Sequence, residues 1–331
     1  MEKAPNSSIS PVLNGIHHVT AMCGDPQANI NFYSGILGLR LVKVTVNYDD
    51  PGTYHLYYGD GRGTAGTSLT FFPWPGAARG VIGNGQVGTT ALSVPQGSQD
   101  YWIQRLNDAG APFYGPIERD GDEVLQLVDP DDMPVELVFS ATADPRDPHP
   151  WGEIPAEAAI RGFHSVGLFV NGYEHTARLL TDELGFRPTS SDAERFRYVL
   201  GDGAPGQIVD VYCLPGRNHG RTGSGAVHHV AFRVSNDETL EAWRQRLAGS
   251  GLNVTPFRDR TYFHSIYFRE PGGVLFEFAT DGPGFDHDEP ESTMGQSLVL
   301  PAWLEPMRDR IQAQLPRFTT FDGVEFPHGA Q

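Results

Sequence analysis

The sequence predicts an α+β chain of four βαβββ modules that pair into two barrel-like domains. Three observations predict it. A unit of about 60 to 70 residues, always with the same order of elements, recurs four times. The 39 glycines and 26 prolines are spread along the 331 residues, which suits short strands joined by tight turns and disfavours an α/β-wound sheet. A hydrophobic content of 39%, with 11% aromatic residues, is enough for each of two domains to have its own core.

Unit one opens with the strand GIHHVTAM. Asp25 and Pro26 then read as an N-cap and a first helical residue, Ile30, Tyr33 and Leu37 form one apolar face, and Gly38 is the stop. Strands LVKVTV, YHLYYG and SLTFFP complete the unit. Unit two opens with TTALSV, carries Trp102 and Leu106 on a helix before Gly110, and closes in MPVELVF. Unit three opens with GFHSVGLFV, has Leu180 and Leu184 before Gly185, and closes in QIVDVYCL. Unit four opens with VHHVAFRV, has Leu240, Trp243 and Leu247 before Gly249, and closes in GGVLFEFA.

In chain order, residues 1–145 hold the first two modules and residues 156–282 the last two. The Pro-rich stretch DPRDPHPWGEIP, Asp144 to Pro155, reads as the linker between them. Residues 283–331 form a tail in which Leu304, Met307, Ile311 and Leu315 have the spacing of a short helix packed over a barrel.

A net charge of −17 and only two cysteines, Cys23 and Cys213, exclude several classes of function. Binding a phosphate backbone draws on clustered Lys and Arg, so nucleic acid is disfavoured. Two distant thiols build neither a disulfide framework nor a thiolate zinc cluster, and read as buried free cysteines. The N-terminus MEKAPNSSISPV lacks the apolar run of a signal peptide, and no stretch approaches the roughly 20 apolar residues of a membrane span. The expectation is a cytoplasmic protein with neither a nucleic-acid nor a membrane partner.

Units one and four alone open with His-His-Val, at His17-His18-Val19 and His228-His229-Val230. Successive strand residues face opposite sides, so one histidine of each pair is expected to face a cavity. Two imidazoles from facing strands suit a first-row divalent metal but need a further ligand. Glu277, in the apolar closing strand of unit four, supplies it, because an unpaired carboxylate there would cost several kcal/mol. The corresponding strand of unit one, SLTFFP, has no carboxylate. Two histidines and one carboxylate form the facial arrangement that leaves positions open on non-haem iron(II).

Taken together, GIHHVTAMCGDPQANINFYSGILGLRLVK, AVHHVAF and PGGVLFEFATDGPGFDHDE resemble the vicinal-oxygen-chelate superfamily, and within it the hydroquinone-type ring-cleaving dioxygenases. The resemblance runs from about Gly15 to Pro301. It implies the vicinal-oxygen-chelate fold, with iron(II) held by His18, His229 and Glu277. It further implies supporting roles for His17, Thr20, His228, Arg260 and Tyr267, with His228 as acid/base and Arg260 and Tyr267 holding substrate oxygens. The implied reaction is extradiol-type ring opening of a small aromatic diol with O2, through a lactone, to a ring-opened acid. A homo-oligomer is compatible with it.

Two rival readings share the fold: a glyoxalase-like isomerase or lyase, which needs a second carboxylate ligand, and a metal-free binding protein, which needs no triad. A competing site is also conceivable at Glu136, His164 and Asp210, although unit two has Thr89 and Thr90 where a second imidazole would stand. Finally, His18 and His229 reach one metal only if unit one shares a barrel with unit four, leaving unit two with unit three.

Overall fold

The computed structural model describes residues 11–327. The stretch read for a targeting signal lies, except for its last two residues, outside the described residues.

Unit one runs β1 (Ile16–Cys23), α1 (Pro26–Ile30), β2 (Arg40–Asn47), β3 (Asp50–Gly59) and β4 (Ser68–Pro73). Unit two is β5 (Gln86–Val94), α2 (Gln99–Asp108), β6 (Phe113–Arg119), β7 (Asp122–Val128) and β8 (Pro134–Phe139). Unit three is β9 (Gly162–Val170), α3 (Glu174–Arg178), β10 (Arg187–Asp192), β11 (Arg195–Val199) and β12 (Ile208–Cys213). Unit four is β13 (Val227–Val234), α4 (Asp237–Gly249), β14 (Arg258–Asp259), β15 (Phe263–Arg269) and β16 (Leu275–Pro283).

One eight-stranded sheet runs β14, β15, β16, β13, β1, β4, β3, β2, and the other runs β10, β11, β12, β9, β5, β8, β7, β6. Units one and four therefore share a sheet, as do units two and three. Each chain-order half gives one module to each. At the centre of the first sheet β1 and β13 pair antiparallel, which brings the twin histidine motifs together.

The helices follow the sequence signals, with one difference. Asp25 accepts a hydrogen bond from the Gln27 N–H and Pro26 follows it, as a capped start requires. From Asn31 to Ile36 the helix continues as a π-turn, and Leu179–Glu183 does the same after α3. Ile30, Tyr33 and Leu37 are buried, and Gly38 ends the element at φ +68°.

The linker is not free. Arg146 donates to the carbonyls of Gly66 and Phe163 at 3.0 and 2.7 Å, and Ile154 enters the core. In the tail the helical turn is only Arg308–Gln312, called α5, after a 3-10 turn at Glu305–Met307 that contains Pro306. Leu304, Ile311 and Leu315 are buried as the spacing predicts, but Met307 is 40% exposed because the 3-10 turn rotates it off the packed face. Leu298 bridges Val44 of the edge strand β2, covering backbone that would otherwise stand open. No helix among the described residues is long and apolar enough to cross a membrane. Cys23 and Cys213 are free thiols, the first buried and the second half-buried.

Candidate active site

His18, His229 and Glu277 converge inside the first barrel. His18 Nε2 lies 3.1 Å from His229 Nε2. Glu277 Oε2 stands 3.1 Å from His18 Nε2 and 2.8 Å from His229 Nε2. All three residues are buried, and neither Glu277 oxygen makes a well-directed hydrogen bond. Burial alone would raise the Glu277 carboxyl, but positive charge on its His18 and His229 side outweighs burial and holds it well below the usual carboxylate range.

The hydrogen-bond partners fix how the imidazoles point. His17 Nε2 is 3.1 Å from the Thr280 carbonyl, which can only accept, so this nitrogen carries the hydrogen. Burial lowers the His17 pKa to about 3, leaving Nδ1 as an acceptor for His18 Nδ1–H, 2.8 Å away. His18 Nε2 then faces the cluster as a bare lone pair. The arrangement repeats when His229 Nδ1 donates to His228 Nδ1 at 2.7 Å. Three lone-pair atoms so close repel one another unless a cation lies between them. Atoms about 2.1 Å from a shared centre are about 3.0 Å apart along an octahedral edge and about 3.4 Å apart in a tetrahedron. The observed 2.8–3.1 Å triangle fits an octahedral face. Among the described residues it is the group of histidine, cysteine and acidic side chains suited to a metal ion.

His18 and His229 line a cavity of about 190 Å³, with Glu277 buried behind them. Arg260 and Tyr267 line one wall, with Arg260 5.6 Å above the Tyr267 ring and 3.2 Å from Asp49. Phe72, Trp74 and Phe263 supply apolar faces. A cavity of roughly 150 Å³ accepts benzene, so the space suits one aromatic ring.

Strand alternation predicts that only one histidine of each pair faces the cavity, and here the structure differs. His228 also lines it, at the mouth, with part of its ring open to solvent. The register passes from Thr20↔His229 to Ala21↔Val227, so His228 sits in an irregularity that releases it from strict alternation. His17 occupies the matching irregularity between Ile16↔Phe232 and His18↔Ala231. It stands behind His18 and does not line this cavity. Thr20 lines the cavity and accepts from Thr70 Oγ1 at 2.8 Å.

The competing residues do not converge. Arg119 grips Glu136 through two bonds of 2.7 and 2.9 Å, Arg197 grips Asp210 in the same way, and His164 faces Asp122 at 3.4 Å. Repetition across modules passes over His55, which reads as structural or surface for want of a counterpart, yet His55 lines the cavity with Tyr57. The available signal was local: His55 and Tyr57 alternate on one face of YHLYYG, across from Thr70 in SLTFFP.

The sequence profile of the Glyoxalase/Bleomycin resistance protein/Dioxygenase superfamily matches residues 15–137 and 162–278. A Bacillus subtilis protein assigned, by name, as ring-cleaving dioxygenase MhqO is 46% identical over 305 residues, covering 92% of this chain and 96% of that one. The chlorohydroquinone/hydroquinone 1,2-dioxygenase of Sphingobium indicum is 33% identical over 307 residues, covering 90% and 95%. A solved Bacillus subtilis structure assigned as a dioxygenase superposes with a TM-score of 0.89 at 44% identity, covering 93% of this chain and 98% of that chain. Maize glyoxalase I, at 16% identity and a TM-score of 0.61 over 81% of this chain and 92% of that one, shares the fold.

Proposed function

Because the chain belongs to the glyoxalase/bleomycin resistance protein/dioxygenase superfamily, we propose that it is an iron(II)-dependent dioxygenase that opens a hydroquinone- or catechol-type ring with O2. The observation that carries this reading is the octahedral-face triangle of His18, His229 and Glu277, whose two histidines line a cavity sized for one ring. Iron(II), when bound there, supplies the path by which electron density leaves the ring for O2.

The chain's own residues then do four things. The aromatic faces of Phe72, Trp74 and Phe263 exclude water and hold the ring. Arg260 and Tyr267 present donors to its oxygens from one wall. His17 and His228 fix the tautomers of the two ligating histidines. His228, with Nδ1 accepting from His229, has its hydrogen on Nε2 at the mouth, where it can be given to a ring oxygen.

The isomerase reading finds less support. Thr20 pairs with Thr70 as Ala231 pairs with Glu277, so Thr70 stands where a second carboxylate ligand would be. The test is anaerobic loading with iron(II), then oxygen uptake on a panel of hydroquinones and catechols. Uptake matched to loss of the diol supports the reading. No uptake on any diol, with turnover of a glutathione hemithioacetal, overturns it in favour of the isomerase.

A further inference from the structure

The cavity also carries a hydrogen-bond chain with no part in the steps above. Tyr57 Oη lies 2.7 Å from His55 Nδ1. His55 Nε2 is 2.9 Å from Thr70 Oγ1, which is 2.8 Å from Thr20 Oγ1. Tyr57 and Thr20, the two ends, both line the cavity. Thr70 is fully buried.

A neutral imidazole has one donor nitrogen and one acceptor, so the chain has two settings. With the hydrogen on Nε2, His55 donates to Thr70, Thr70 donates to Thr20, and the Thr20 hydrogen turns to the cavity. Tyr57 then donates to Nδ1 and offers the cavity a lone pair. With the hydrogen on Nδ1 every link reverses: Tyr57 becomes the cavity donor and Thr20 the acceptor. One end always donates while the other accepts.

We propose that His55 is the proton relay of this cavity: by exchanging tautomers it passes a proton between Tyr57 and Thr20, and so between two oxygens of one bound ring, without itself becoming charged. This rests on the diol reading. In the forward step Tyr57 Oη takes a hydrogen from a ring hydroxyl and its own moves to His55 Nδ1. The Nε2 hydrogen passes to Thr70, that of Thr70 to Thr20, and that of Thr20 to a second oxygen of the substrate. One O–H bond is lost and one gained, and no electron changes hands. Exchange with water through the mouth resets the chain.

Three further observations agree. The imidazole packs against the rings of Tyr57 and Phe72, at centroid distances of 3.9 and 4.3 Å, so the hydrogen is freer to move than the ring. Burial lowers its pKa well below the usual value, which keeps it neutral. Thr70 is the counterpart of Glu277 in the paired module, so the first module supplies a relay hydroxyl where the fourth supplies a carboxylate.

His55→Gln, Tyr57→Phe, their double variant and His55→Leu test it. A glutamine side chain spaces its oxygen and nitrogen like the two imidazole nitrogens, so it keeps both hydrogen bonds but cannot exchange tautomers. Iron content and anaerobic hydroquinone binding should stay within about threefold of wild type, a change too small for a lost ligand. Oxygen uptake with hydroquinone should fall about 10²-fold in His55→Gln and in Tyr57→Phe, at the low end of what proton-transfer help is worth. The double variant should be no slower than either single, and the curved wild-type proton inventory should become linear. His55→Gln turning over at the wild-type rate would overturn the relay. So would loss of iron or of hydroquinone binding in His55→Gln, which would mark a structural role. His55→Leu losing iron while His55→Gln keeps it reports packing only and leaves the Gln result decisive. A wild-type protein that binds hydroquinone and consumes no oxygen refutes the diol reading itself, and the relay with it.

Discussion

Glu277 and Glu136 occupy equivalent strands, yet they meet different partners, and the difference is a matter of single residues. Around Glu277 stand two imidazoles with lone pairs turned inward; around Glu136 stand Arg119 and Gln126. Ala at His18, His229 or Glu277 should therefore lower iron affinity by more than the 10–100-fold typical of a supporting residue. Ala at Glu136 or His164 should leave iron content unchanged by metal analysis. Both carboxylates were legible as buried acids, but the Arg119 that neutralises one of them arrives through the β6–β7 hairpin, which strand periodicity does not disclose. A second residue-scale effect lies at Asp129. It is buried, accepts from Tyr33 Oη and from the Asp131 and Met133 N–H groups, and burial pushes its carboxyl up to about 6. A raised carboxylate pKa means the folded state holds the proton longer than the unfolded chain. Its contribution is thus fully present below about pH 4 and is lost as pH rises through 6. Asp129→Asn should gain stability relative to wild type across pH 4–6, by up to about 1.4 kcal/mol per pH unit, measured by urea unfolding.

At the scale of elements, the repeated module was legible because periodicity and caps agree, and its departures are where the site is made. The two register irregularities flank the twin motifs and place His17 behind one ligand and His228 at the mouth. Alternation alone assigns each strand residue a face, so no sequence pattern marks the slip. The helix stop at Gly38 carries a comparable hidden load. Its positive φ was expected of a terminating glycine, but a Cβ there would also lie 2.2 Å from Ile154 Cδ1, on the linker. Gly38→Ala should therefore strain the backbone and displace the linker at once, costing about 1–3 kcal/mol. Urea unfolding reads the total. Gly185→Ala, at the matching stop of unit three with nothing within 4 Å of its Cβ, should cost only the backbone part. Equal losses at the two sites would mean that linker packing contributes nothing.

For the whole molecule, crossed pairing follows from one requirement, that the two His-His-Val strands meet, and that much the sequence could supply. The way the tail fastens the first barrel it could not, because the fastening joins residues more than two hundred positions apart. Lys43 is fully buried on β2, with its Nζ 2.5 Å from both Asp288 and Glu289 and 4.9 Å from the Tyr262 ring. Tyr262 in turn donates to Asp288 at 3.0 Å. Beyond this cluster the chain runs along the β2 edge at Leu298, and Trp303 packs edge-on against Tyr48 at the cavity mouth, 5.5 Å between centroids. A buried ion pair is weak evidence of stability while intact, since desolvation offsets its attraction, but removing one partner leaves the other charges buried and unpaired. Lys43→Ala should therefore cost about 3–5 kcal/mol and open the tail after Phe285 to limited proteolysis. Trp303→Ala, at a residue 56% exposed, should cost under about 1 kcal/mol and act instead on the KM for the ring substrate. If Lys43→Ala unfolds like wild type and the tail stays protected from protease, the apolar contacts of Leu298, Leu304, Ile311 and Phe318 hold the tail, and the ionic cluster is incidental to it.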